Sequence, residues 1–419
     1  MRRRPGGRAA RAIVPFALSL LALSACVPRP TGPVTTAARP QLSLTPVPFA
    51  SLPGWQQDHP AAAVPVFLAG CRQLPDAASA QSLGGQGLAA SMGGQPAQWQ
   101  PACAAAASVP PGDDTAARAF FEAYFQPYAV SDTSAPPDRS GKALFTGYFD
   151  PEVHGSRIET RTDRYPLLGR PPDLVQVHLG AFARDLKGRS IAGRVQDGQL
   201  VPYYDRAQID SGVLARRRLE LLWLADPIDV FMLQIQGSGR VDLPDGHVVR
   251  VTYAGQNGRP YVPIGRVLAD RGEIPLDQVS LASIRAWLEQ HPSQAASVMD
   301  QNPSYVFFRE VTTLGPDEGP PGALGVPLAP GRSIAVDRAF IPLGAPVFID
   351  TTDPLTGAPL QRLTMAQDLG GAIKGPARAD IFFGWGPQAE ARAGRMRAHG
   401  REYLLLPRPV APRMTQASG

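Results

Sequence analysis

The sequence predicts a mainly β protein with a few peripheral helices. Pro (45) and Gly (42) make up about a fifth of the 419 residues, which suits short strands and many turns better than a helical bundle. Short alternating or apolar runs recur between turn signals. Leu144–Asp150, Leu174–Leu179, Phe231–Gln236, His247–Tyr253 and Arg362–Gln367 read as strands, and Asp245-Gly246 and Gln256-Asn257-Gly258 as turns. The length leaves room for two domains or one elaborate one.

The chain opens on a targeting segment. Arg2, Arg3, Arg4, Arg8 and Arg11 precede the apolar run Ala12–Leu23, which is about half the length a membrane-spanning helix needs. The formal charge of +5 resides wholly in those arginines, because residues 1–25 hold no acid and the remainder balances 36 basic against 36 acidic residues. A formally neutral mature protein offers no basic patch for nucleic acid. The run ends in Leu23-Ser24-Ala25-Cys26, which resembles a bacterial lipobox. That resemblance implies cleavage after residue 25 and a lipidated Cys26 as the mature N-terminus, anchoring the protein by its acyl chains. Val27 is not an inner-membrane retention residue, so the outer membrane is the expected site. Cys71 and Cys103 remain, and an oxidising periplasm permits a disulfide between them without requiring one. Two Cys and six scattered His provide no metal-spaced cluster, and no cofactor is implied.

Residues 26–50 are rich in Pro, Thr and Ala and read as a tether. Ala61–Gln73 suits a helix with Val64, Phe67, Leu68 and Cys71 on one face, and residues 74–112 read as turn-rich. Asp113 or Asp114 can cap a helix running through Gln126, with Ala117, Phe120, Phe121, Tyr124 and Phe125 as its apolar stripe. Leu144-Phe145-Thr146-Gly147-Tyr148-Phe149-Asp150 comes next as a strand broken by Gly147, where a bulge or a close approach of ligand to backbone would fit. Tyr148 is either a buried strand aromatic or a ring that meets a ligand.

In Phe231-Met232-Leu233-Gln234-Ile235-Gln236-Gly237-Ser238-Gly239 the alternation places Gln234 and Gln236 on one strand face. That face is either plain solvated surface or a row of amides for hydroxyl and N-acetyl groups. Helices are expected over Ile264–Arg271 and after a Ser280 cap, the second with Leu281, Ile284, Trp287 and Leu288 facing inward. Gln301–Phe308 returns to a strand pattern. Near the C-terminus, Pro387 fits the first turn of a helix carrying Ala389–Ala398 and ended by Gly400, and Tyr403–Leu406 reads as a last strand before a loose tail.

The chemistry gathers in one stretch. Asp368 closes a strand, Asp380 opens the next, and between them runs a Gly-rich loop carrying Lys374 and Arg378. Asp337 closes Ser333–Val336 just upstream. Carboxylates at strand ends beside glycines, where backbone can approach a ligand, suit a polar groove. Structural ion pairs with Lys374 or Arg378 would account for the same letters.

The order Ala335-Val336-Asp337, Ile341-Pro342-Leu343-Gly344, Ala366-Gln367-Asp368, Gly371-Ala372-Ile373-Lys374-Gly375, Arg378-Ala379-Asp380, Phe383-Gly384 resembles the three-aspartate domain of the membrane-bound lytic transglycosylase A family. Phe145-Thr146-Gly147-Tyr148-Phe149 is similar to the family's Phe-Thr-Gly-Tyr-Tyr signature, with Phe149 in place of the second Tyr. Gln236-Gly237-Ser238-Gly239, Tyr253–Gly258 and Tyr261 resemble its further blocks. The likeness covers roughly residues 140–406. It implies a double-psi β-barrel domain (51–150 and 304–408) with an inserted second β-barrel domain (151–303) and a groove for a peptidoglycan strand between them.

The resemblance also implies cleavage of the MurNAc–GlcNAc β-1,4 bond with formation of 1,6-anhydro-MurNAc. Asp380 would be the acid that becomes the base, with Asp368 beside it. Thr146, Tyr148, Gln234, Gln236, Ser238, Asp337 and Lys374 would contact substrate. Glycan strands and, through Cys26, the membrane are the implied partners, together with other cell-wall enzymes. Two other readings stay open on the letters: an inverting hydrolase using Asp368 and Asp380, and an expansin-like binding lipoprotein without catalysis.

Overall fold

The structure is a computed structural model that describes residues 40–74, 93–136, 141–186, 189–315 and 317–408. The signal segment, Cys26 and the tail 409–419 lie outside the described residues. The stretch expected as a tether, residues 26–50, contains regular structure in its described part. Strand β1 (Leu42–Pro46) pairs antiparallel along its whole length with β2 (Phe125–Asp132).

Between them the described residues include three α-helices. In α1 (Val64–Cys71), Val64 and Phe67 are buried, while Leu68 and Cys71 are half-buried against the same core. Helix α2 (Pro96–Ala106) occupies part of the stretch expected to be turns. Pro96 sits at its start, the Gln98 side chain reaches back to the Gln95 amide at 2.8 Å, and the alanines supply propensity that an apolar stripe would otherwise signal. A Cys71–Cys103 disulfide joins α1 to α2 across a Cα separation of 5.8 Å. Helix α3 (Asp114–Tyr124) starts where expected, with Asp113 accepting from the Ala116 amide at 2.9 Å. It stops short of Gln126, since Pro127 disfavours a helical residue before it. Phe125 therefore enters β2, yet stays wholly buried against Phe67 and Phe121.

Strand β3 (Ala143–Asp150) leads into an inserted unit. Its strands are β4 (Glu152–Ser156), β5 (Tyr165–Leu168), β6 (Val175–His178), β7 (Ser190–Gln196), β8 (Gln199–Pro202), β9 (Glu220–Leu224), β10 (Ser238–Asp242), β11 (Val248–Gln256) and β12 (Val306–Val311). Six of them form one sheet in the order β12-β11-β10-β4-β9-β5, and a bridge from Gly169 to Phe308 brings its two ends together. Strands β6, β7 and β8 form a small separate sheet. Because β12 pairs with β11, the inserted unit extends past residue 303 to Val311.

Its helices are α4 (Arg206–Asp210), α5 (Pro227–Gln236), α6 (Ile264–Asp270), α7 (Leu281–Gln290) and α8 (Pro292–Met299). Helix α5 overturns the strand expected over Phe231–Gln236. Asp226 caps it by accepting from the Ile228 amide at 2.8 Å, Pro227 occupies its first turn, and Gly237 ends it at φ +80°. Ile228, Phe231 and Met232 pack on the helical cluster and Val230 and Leu233 on the small barrel. Burial on two sides erased the polar face that marks a surface helix.

The chain then completes the first barrel with β13 (Ser333–Val336), β14 (Pro346–Thr352), β15 (Pro359–Leu369), β16 (Arg378–Trp385) and β17 (Arg397–Pro407). Six strands close in the order β17-β14-β15-β13-β16-β3, because β17 pairs with β14 and, by its first residues, with β3. The core inside holds Phe145, Ile334, Val336, Ile381 and Leu404 among others, and Phe348 and Leu363 continue it toward Trp55 and the helices that pack on the barrel. Helix α9 (Gly386–Arg395) has Pro387 in its first turn, as expected, but ends well before Gly400. Gly400 lies within β17, where a Cβ would fall 2.1 Å from the Asp350 carbonyl oxygen. Gly147 does not break β3 either. A Cβ there would meet the Phe383 ring at 2.6 Å and the Ala393 Cα at 2.9 Å, so the glycine admits α9 rather than a ligand.

Candidate active site

Strand β13 lies between β15 and β16, and Ala335 is the register partner of Asp368 on one side and of Asp380 on the other. Two interstrand spacings put the acids' Cα atoms about 10 Å apart. Along β13 and β16, Ile334, Val336, Ala379 and Ile381 point into the barrel, so Ala335, Asp380 and Phe382 point out. Thr146 stands opposite Asp380 on β3, and Tyr148 opposite Phe382. The outer face thus presents Asp368, Asp380, Thr146 and Tyr148 around an alanine.

The small side chain matters. Tyr148, 8% exposed, packs with Ala335, Phe382, Leu328 and Ile373, and its hydroxyl donates to Asp368 Oδ2 at 2.9 Å. The Ala323 amide donates to Asp368 Oδ1 at 2.9 Å. On the other carboxyl, Thr146 Oγ1 donates to Asp380 Oδ1 at 2.5 Å and itself accepts from Arg378 Nη2 at 2.8 Å. Arg378 also donates to the Ala379 and Leu144 carbonyls, which fixes its charge beside Asp380.

Burial pushes the Asp380 carboxyl above the usual range, against the pull of Arg378 and of the Thr146 hydrogen bond. Burial raises Asp368 too, against donors from Leu369, Ala323 and Tyr148, and the charge of Asp380 adds to the rise. The Tyr148 phenol is driven well up by burial and by Asp368. Burial also raises the phenol of Tyr261, and the Asp380 charge contributes there. This residue of the inserted unit therefore lies within the field of Asp380.

Of the nine residues named from the sequence, the structure brings four together: Asp368, Asp380, Thr146 and Tyr148. Asp337 shapes the neighbouring loop, accepting from the Gly375 amide at 3.0 Å and the Ala339 amide at 3.0 Å. Lys374 on that loop is exposed and makes no ion pair among the described residues. The amide row of Gln234 and Gln236 does not form, since both sit on helix α5. Gln234 is 4% exposed, and Gln236 Oε1 accepts from the Phe149 amide at 3.1 Å. Ser238 is buried and donates to Asp150 Oδ1 at 2.7 Å, beside Arg240. It ties the two units together rather than facing a groove. Sequence reasoning offered Arg378 only as a structural ion-pair partner, not as the donor to Thr146 beside Asp380, and it missed Ala323. That donor could have been found from its place two residues before Asp380, which sets both side chains on one strand face. Ala323 acts through its backbone and left no signal.

This geometry supplies a carboxyl whose hold on a proton is strengthened by burial, oriented by one hydroxyl, with a second buried carboxyl two strands away. It is fitted to deliver a proton to a bound oxygen and recover one. The family model described as the MltA specific insert domain matches residues 144–309, and the 3D domain model matches residues 332–406. The chain is 34% identical over 281 residues to the membrane-bound lytic murein transglycosylase A of Escherichia coli K12, covering 65% of this chain and 68% of that protein. Among solved structures, a membrane-bound lytic murein transglycosylase from Agrobacterium tumefaciens matches with a TM-score of 0.75 at 34% identity, over 87% of this chain and 98% of that one. Escherichia coli MltA with bound chitohexaose matches with a TM-score of 0.59 at 26% identity, over 89% and 96% of the two chains. The closed six-stranded unit is the double-psi β-barrel of these structures. The chain belongs to the membrane-bound lytic murein transglycosylase A family.

Proposed function

We propose that this protein is a peptidoglycan lytic transglycosylase that breaks the MurNAc–GlcNAc β-1,4 bond and leaves a 1,6-anhydro-MurNAc end. The observation that carries the reading is Asp380: a carboxyl raised by burial, held by Thr146 on an outward face of the barrel. Asp380 gives its proton to the glycosidic oxygen as the C1–O bond breaks. The C6 hydroxyl of the same MurNAc then bonds to C1, and its proton goes to the Asp380 carboxylate. The proton count closes and no water is consumed, so a second carboxylate is not needed as a nucleophile or base. Asp368, held by the Tyr148 hydroxyl, stands two strands away on the same face and feels the charge of Asp380.

The bound chitohexaose of the Escherichia coli relative supports a β-1,4-linked amino-sugar strand as the ligand class. The lipobox-like Leu23–Cys26 and the membrane-bound relatives support a lipid anchor at Cys26, on the periplasmic side of the outer membrane. No helix among the described residues is long and apolar enough to cross a membrane. Asp380→Asn tests the reading. The amide fills the same space without a proton to give, so cleavage should fall by about 10²–10⁴-fold, while glycan binding persists. Near wild-type release of anhydro ends by this variant would refute the role given to Asp380.

A further inference from the structure

Strand β15 carries an irregularity that decides where Asp368 points. In a regular strand residues i and i+2 face the same side, and Ala366 is wholly buried in the barrel core. Asp368 nonetheless faces outward, to Tyr148. The register gives the reason. Ile334 pairs with Ala366 and Ala335 with Asp368, so Gln367 is an extra residue, a β-bulge that reverses the facing of Asp368 and Leu369.

Gln367 is wholly buried, and both ends of its side-chain amide are held. Its Nε2 donates to the Val66 carbonyl of α1 at 2.9 Å, and its Oε1 accepts from Ser333 Oγ at 2.6 Å. Its own carbonyl accepts from the Leu324 amide at 2.9 Å, next to the Ala323 amide that holds Asp368. The turn sits tightly there, since a Cβ on Gly322 would fall 2.6 Å from the Gln367 carbonyl oxygen. Helix α1, which the disulfide clamps to α2, lies outside both family-model matches.

We propose that Gln367 is a positioning residue: bonded between α1 and β13, it keeps the bulge that turns Asp368 out of the core and onto the Tyr148 face. An apolar side chain of similar volume would fill the space but lose both bonds, and β15 could then return to regular pairing with Asp368 aimed inward. The inference rests on reading Asp368 as part of the active site. Its structural half is measured without substrate, so a failed function and a failed inference are told apart.

The test uses the full-length protein carrying Gln367→Met. Hydrogen exchange should show the Ala323 and Leu324 amides losing protection while the rest of the barrel keeps it. On purified peptidoglycan kcat should fall about 100-fold, the scale set by a misplacement near 1 Å, with KM little changed. A companion variant, Gln367→Glu, separates bonding from bulk. Its protonated side chain offers the same donor and acceptor to two uncharged partners, and its ionised form loses the donor. Compared with wild type at each pH, it should match at low pH and, as pH rises, lose both kcat and the protection of the Ala323 and Leu324 amides, the second a loss that ionisation of Asp380 in the wild type does not produce. Unchanged protection and kcat in Gln367→Met would overturn the proposal, as would a uniform loss of protection across the barrel. If that variant does not fold, a Gln367→Glu protein without recovery at low pH overturns it alone.

Discussion

Glu402, on β17, is 1% exposed, and neither carboxyl oxygen has a hydrogen-bond partner among the described residues. The other buried charges are satisfied: Asp58 by Arg332, Asp150 by Arg240 and Ser238, Arg206 and Arg250 by carbonyls. Burial pushes the Glu402 carboxyl from an ordinary 4.5 up to about 8, against the attraction of Arg378. A carboxyl raised on folding gives stability that is complete below 4.5 and lost as pH rises through 8. Each pH unit of that interval costs about 1.4 kcal/mol. The loss is then roughly 3 kcal/mol at pH 7 and about 5 kcal/mol above pH 8. Glu402→Met removes the titration. Urea unfolding of both proteins from pH 4 to 9 should show the variant gaining on wild type by about 1.4 kcal/mol per pH unit between 4.5 and 8, with level differences on either side. Any constant offset from the new side chain leaves that slope intact, and Asp368 and Asp380 titrate in both proteins. Parallel curves for the two would refute the reasoning.

The same geometry makes two further predictions. Tyr148→Phe removes a donor from the Asp368 carboxylate, so the carboxyl should titrate at higher pH in a ¹³C-aspartate NMR titration; an unmoved resonance would show that the hydroxyl does not hold the anion. Ala335→Leu forces bulk beneath Tyr148 and should cost about 1–3 kcal/mol in unfolding together with most of the activity. Retained activity with lowered stability would separate the ring's position from catalysis.

Much of the site was legible because strand ends and glycines leave local marks. Asp368 and Asp380 could be placed on successive strands from alternation alone, and the Asp113 cap and Pro387 helix start came from short-range chemistry. What failed was whatever tertiary packing decides. The six residues Phe231–Gln236 alternate like a strand, but Asp226-Pro227 before them and Gly237 after them are helix signals, and two-sided burial hid the period. Gly400 looked like a helix stop because close approach by Asp350 is invisible in the letters. The bulge at Gln367 cannot be read from sequence, since it shows only when β15 is laid against β13. Glu402 gave no warning either: a charged residue beside Arg401 and Tyr403 reads as surface until β17 closes the barrel.

The most direct test of the function is the mass of the ends left on the glycan. Purified sacculi digested with the wild-type protein should release muropeptides ending in 1,6-anhydro-MurNAc, each lighter by one water than its reducing counterpart. The Asp380→Asn protein should release none at a comparable rate. Reducing MurNAc ends from the wild type, or anhydro ends from Asp380→Asn at the wild-type rate, would contradict the account.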